Sequence, residues 1–217
     1  MGKLLAIVLP LALGAAISPT ILALQLLTLS RRTAPLARSW AVAGGCVLVL
    51  AGLSVVALLV AKSTGGSSSP SEAGGIVKLV AAALLLVVGV RQLRKAPPAV
   101  QAPEHASRHP LRQSFALGAA MMVSNFSTIV LYFPAVHAIG IADVALADKA
   151  VAFALLFAIT LLTAVGPPLV VTLMGARATP VLERLNGFFT AHRRGIGAAI
   201  CFAFAVLLTA AGLHAVL

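Results

Sequence analysis

Few side chains in this sequence could do chemistry, and those embedded in apolar surroundings fall in two short stretches. The first is Ala12-Leu-Gly-Ala-Ala-Ile-Ser-Pro-Thr20, which sets Ser18-Pro19 near the middle of an apolar run long enough to cross a bilayer. A proline there removes a backbone donor and clashes with the preceding turn, so the helix is bent or opened. The carbonyls it frees find no partner in hydrocarbon, and such a break survives only where protein or a water-filled cavity covers it. The second stretch repeats Ala-Leu-Gly-Ala-Ala at Ala116 to Ala120, then carries Ser124, Asn125, Ser127 and Thr128, followed by Tyr132 and Pro134. An amide and several hydroxyls at that depth are costly in lipid and should face the interior of a helix bundle. Ser18, Pro19, Thr20, Gln25, Ser124, Asn125, Ser127, Thr128 and Tyr132 are therefore the candidate substrate-binding residues. Gly166-Pro167-Pro168, preceded by Thr160 and Thr163, is expected to be a third break and reads as a hinge. Taken singly, each of these features is equally an ordinary kink with satisfied hydroxyls.

Catalysis and metal binding find little support. The acids Glu72, Glu104, Asp143, Asp148 and Glu183 all map to connections, and no apolar run contains one. His105, His109 and His192 fall in loops on one side and His137 and His214 near the other surface, without the spacing to cysteine or acid that a metal site needs. Cys46 and Cys201 lie inside apolar runs, where they pack as small side chains. No enzyme activity, cofactor or metal is expected. A lining of hydroxyls and one amide suits a neutral or amphiphilic cargo better than a bare cation.

The elements that must position these residues follow from composition. The chain has 217 residues, 60% of them hydrophobic and 10% charged, with a mean hydropathy of +1.07. A soluble core of this size could not hide so much apolar surface. Runs nearly free of charge occur at Leu4–Ser30, Ser39–Ala61, Gly74–Val90, Gln113–Ala142, Ala150–Ala176 and Gly195–Leu217, and each is long enough for a spanning helix. The second half echoes the first: Ala116 to Ala120 matches Ala12 to Ala16, Ala150-Val-Ala152 matches Ala41-Val-Ala43, and Gly195-Ile196 matches Gly75-Ile76. Three spans per half is an odd number, so the second half must be inverted. The expected fold is an all-α integral membrane protein of six transmembrane helices in two inverted three-helix repeats, residues 1–95 and 114–217. A cytoplasmic linker over 96–113 joins them, and helix breaks are expected near the midplane in spans one, four and five.

Orientation comes from the basic residues, which are held on the cytoplasmic side. Arg31, Arg32 and Arg38, then Arg91, Arg94, Lys95, Arg108 and Arg112, then Arg177, Arg184, Arg193 and Arg194 occupy alternate connections, against Lys3, Lys62, Lys78 and Lys149 on the other side. Both termini should therefore be extracytoplasmic, with the signal-like amino end retained. The net charge of +11 is mostly this signal, and Arg31, Arg32, Arg91 and Arg94 would attract an anionic headgroup. The loops are too small to form a basic surface for nucleic acid. Gly44-Gly45 and Gly52 should let a neighbouring helix approach closely. Ser63 to Gly75 is a flexible tract, and Thr179 to Arg194 is either a short interfacial helix or an ordinary loop.

Six spans in two halves, the Leu-Gly-x-x-x-Ser-Pro element early in span one, the basic linker and the Gly89-Val90-Arg91 end of span three resemble the lysine-exporter superfamily of membrane transporters. Ala-Leu-Gly-Ala-Ala-Ile-Ser-Pro-Thr20 and the second copy with Asn125 are most similar to its peptidoglycolipid-addressing or sulfolipid-addressing branch. That resemblance implies export or flipping of an envelope glycolipid across the plasma membrane, with Ser18, Pro19 and Asn125 at the central site. The other branches imply export of amino acids or metals, and the absence of an acid in any span sets this chain apart from the cation exporters. The partners expected are membrane lipids, an amphiphilic lipid substrate and either a second copy or envelope-lipid synthesis and export proteins. A non-transporting membrane partner of a lipid synthase or pump is the reading from a different class.

Overall fold

The computed structural model describes residues 1–31, 33–63 and 110–178, with a few isolated positions beyond them. Among the described residues there are six α-helices, a short 3-10 turn and no strand. They are α1 (Gly2–Ala16), α2 (Pro19–Leu29), α3 (Pro35–Ser63), α4 (Pro110–Val123), α5 (Phe126–Ile141) and α6 (Leu146–Met174), with the turn at Gly175–Arg177. Most of the expected spans three and six and of the Thr179 to Arg194 segment lies outside the described residues.

Local chemistry sets several of the boundaries. Helices α2, α3 and α4 all begin on a proline, whose fixed φ suits the first turn and whose missing N–H is one that no intrahelical carbonyl would have used. Helix α4 thus starts inside the segment 96–113 read as linker. Ser18 caps α2, its Oγ accepting from Ile21 N at 3.4 Å. Gly175, which follows α6, has φ +55°, a conformation a side chain would oppose.

Helices α3 and α6 are each long and apolar enough to cross a membrane. The pairs α1/α2 and α4/α5 are bent by 46° and 72°, and the count of crossing elements reaches four if each bent pair is one span. The chain is accordingly a membrane-associated helical protein. Leu13, Leu59, Phe126, Leu162 and Leu173 expose large apolar side chains outward, as helices facing acyl chains do. The core lies between α1, α5 and α6, where Val8, Leu131, Ala135, Val136 and Leu156 are fully buried, and extends to Leu50 of α3.

Helix α3 makes its most extensive contact with α4. At the crossing the two backbones touch: a Cβ on Gly45 would lie 2.2 Å from the Phe115 carbonyl oxygen, and one on Gly118 would lie 2.2 Å from that of Val42. Gly45 and Gly118 are therefore spacers, the close-approach device of membrane helix packing. Gly52, by contrast, has no neighbour within 4 Å among the described residues.

The expected break in span five is corrected. Helix α6 passes Gly166-Pro167-Pro168 without ending. Pro168 deprives the Ala164 carbonyl of its helical donor, and Gln25 Nε2 supplies a replacement at 2.5 Å. A neighbouring helix that satisfies the freed carbonyl lets the helix continue through its prolines.

Candidate functional site

The two bent pairs meet at their junctions. Helix α1 ends at Ala16, and Pro19 leaves the Ala15 carbonyl, four residues earlier, without a helical donor. Thr128 Oγ1 of α5 donates to that carbonyl at 3.0 Å. The neighbouring Ala16 carbonyl accepts from Thr163 Oγ1 of α6 at 2.7 Å and from Ser18 N at 2.9 Å. Two threonines from other helices thus cap the open end of α1.

The second junction is made differently. No proline interrupts it; Ser124 N donates to Ala120 O, Asn125 N to Met122 O and Phe126 N to Ser124 O, so the chain turns through local bonds. Asn125 Nδ2 then donates to Ser18 Oγ at 2.7 Å, tying one junction to the other. Ser127 Oγ donates to Asn125 Oδ1 at 3.0 Å, which fixes the amide with its nitrogen toward Ser18. Ser18 is buried, Asn125 and Ser127 are half-buried and Ser124 is exposed. The junction therefore presents an amide and two hydroxyls beside a third, exposed hydroxyl, a set able to hold the hydroxyls of a polar headgroup.

Gln25 and Tyr132 occupy different surroundings. Gln25 is fully buried, with Nε2 donating to Ala164 O at 2.5 Å and to Ser39 O at 3.3 Å while Oε1 accepts from Ser39 Oγ. Every hydrogen-bonding capacity that matters is committed to α3 and α6, so it acts as a clasp. Tyr132, also fully buried, bonds through its Oη to Ser54 Oγ at 2.7 Å, and Ser54 Oγ in turn donates to Leu50 O at 2.7 Å. Thr20 is half-buried one residue into α2 from Pro19. Of the four arginines expected to attract a headgroup only Arg31 is among the described residues; Arg32, Arg91 and Arg94 lie outside them.

Sequence reasoning did not assign Ser39, Ser54 or Thr163 to the polar network. Ser54 was legible as a hydroxyl inside the Val/Leu run of span two. Ser39 and Thr163 gain their roles only from partners far along the chain. Thr160, a turn before Ala164 on α6, is buried with its Oγ1 unpaired among the described residues.

The family whose model matches the chain is described as Sap, sulfolipid-1-addressing protein, and the match covers residues 8–214. The chain belongs to this family. No curated protein and no solved structure resembles it closely enough to count as a match.

Proposed function

Starting from membership of the sulfolipid-1-addressing family, we propose that the chain exports or flips an amphiphilic envelope lipid, a sulfolipid or related glycolipid, across the plasma membrane. The observation that carries the reading is the Asn125 Nδ2 to Ser18 Oγ bond of 2.7 Å, which joins two bent helix pairs through groups a headgroup can bind. Six spans in two inverted three-span repeats, with the junctions near the midplane and both termini extracytoplasmic, give the frame. The exchange of neighbours supports it, since α1 packs on α6 as α4 packs on α3, and α2 on α6 as α5 on α3. Wider kinship with the lysine exporters belongs to the same proposal.

Alternating access then opens the Ser18–Asn125 contact. Its net worth is about 1 kcal/mol, which a cargo hydroxyl bonding to the same pair replaces. Gly166, around which an added side chain would meet nothing within 4 Å among the described residues, gives α6 room to flex beside Pro167 and Pro168. The role is carriage without a chemical step. Lipid translocation in vesicles reconstituted with Asn125→Leu should fall to the protein-free rate, and a rate equal to that of the unmodified protein would discard the site.

A second reading has its own support. Gln25, Thr128 and Thr163 all donate to backbone carbonyls of other helices, as in a static scaffold. On this reading the chain docks an envelope-lipid synthase or pump, and it would co-purify with that partner while moving no lipid alone.

A further inference from the structure

At the end of the bundle remote from the junctions, where α3 and α5 finish and α6 begins, lies a cavity of about 640 Å³ that is open on one side. That volume falls within the roughly 300–1,000 Å³ of small-molecule sites. It is about 22 Å along α5 from Asn125 at 1.5 Å per residue, so it is a separate place. Its walls include Leu58, Ile139 and Phe153, and its rim carries Lys62, Asp143 and Lys149. Lys149 Nζ donates to Gly140 O at 3.0 Å, which pins one ammonium over the last turn of α5 and leaves its other hydrogens for a ligand. Among the described residues, neither lysine forms an ion pair with Asp143, and two cations against one carboxylate leave the rim positive.

We infer that this cavity receives the anionic headgroup, sulfate or phosphate in class, of an amphiphile whose chains lie along the apolar walls. The composition of the walls favours an amphiphile over a bare anion, because a simple oxyanion gains nothing from Leu58 or Phe153. Lys62 stands in the last turn of α3 and Lys149 near the start of α6, at helix ends where a membrane's polar layer begins. The floor is tight, since a Cβ on Gly140 would approach Ala61 Cβ to 2.6 Å. In the transport cycle, and resting there on the carrier reading, the cavity holds the headgroup on the lysine-bearing face, opposite the arginines. Binding itself does not depend on that reading.

The test uses the full chain in phosphatidylcholine vesicles. Trp40, the one tryptophan, lies at the other end of α3 near Thr172, so Trp40→Phe with Phe153→Trp places the only indole in the cavity wall. Quenching by brominated-chain phosphatidylglycerol should occur at about tenfold lower mole fraction than by brominated-chain phosphatidylcholine, and each of Lys62→Gln and Lys149→Gln should reduce that preference by about fivefold. Lys149→Arg should keep it. Identical quenching by the two lipids, or an unchanged preference in the double Gln variant, would overturn the inference. Relief of quenching by millimolar inorganic sulfate would assign the site to free anions and overturn it equally. If Lys149→Gln does not fold, Lys62→Gln decides alone, at an exposed position. Lipid selectivity that persists while the unmodified protein moves no lipid would remove the carrier reading and leave this cavity standing. Selectivity absent while translocation needs Asn125 would do the reverse.

Discussion

The two helix junctions solve one problem in opposite ways. At Ile17-Ser18 the chain is broken by a proline, and the carbonyls left open are taken by threonines from α5 and α6. At Ser124-Asn125 there is no proline, the turn closes on its own backbone, and the bend is wider, 72° against 46°. One junction is sealed from outside and buried; the other is self-contained and leaves Ser124 exposed. The contrast teaches that a repeated sequence element need not repeat its energetics. The first copy supplies acceptors that need partners, whereas the second supplies the side chain, Asn125, that reaches across.

The comparison breaks most readily where α4 is anchored. Gly118→Val, which drives a side chain into the Val42 backbone, should cost about 3 kcal/mol and lower the melting temperature in detergent far more than Gly52→Ala, which meets nothing among the described residues. Next comes the proline rescue. Gln25→Leu strands both the Ala164 carbonyl and Ser39 and should cost about 2 kcal/mol; adding Pro168→Ala, which restores a helical donor, should recover a sizeable part in a double-mutant cycle. Thr128→Val should cost about 1 kcal/mol by thermal melts, since it uncaps the Ala15 carbonyl, and Thr163→Val should cost less, since the Ala16 carbonyl keeps Ser18 N. Ser124→Ala at the exposed junction should change stability by less than about 0.5 kcal/mol. A larger loss there would show that the second junction is held from outside after all.

What could be read from the residues depended on how far each cause reached along the chain. Ser18-Pro19 is a local signal, and a helix starting on Pro19 with Ser18 as its cap follows from those two residues. The nearness of Ser18 and Asn125 was suggested by the repeated Ala-Leu-Gly-Ala-Ala, a pattern that needs no contact information. The continuity of α6 was not legible: its prolines argue for a break, and the amide that prevents one comes from a glutamine 139 residues earlier. Gln25 itself illustrates the limit, because composition marks it as polar in an apolar run but cannot say whether a ligand or Ala164 takes its hydrogens. Ser54 was passed over because span two, rich in Gly and Val, reads as packing alone, and only the phenol of Tyr132 gives that hydroxyl a task.

The Gly45–Gly118 crossing has a mechanical corollary. Two main chains in direct contact at Gly45 and Gly118, with the Phe115 ring seated against Gly44, leave no slack between them, so α3 and α4 would travel as one plank although they are far apart in the sequence. The seam along which the molecule could shear then runs between that plank and the α1–α6 pair. Hence the parts that move would not be the two halves of the sequence.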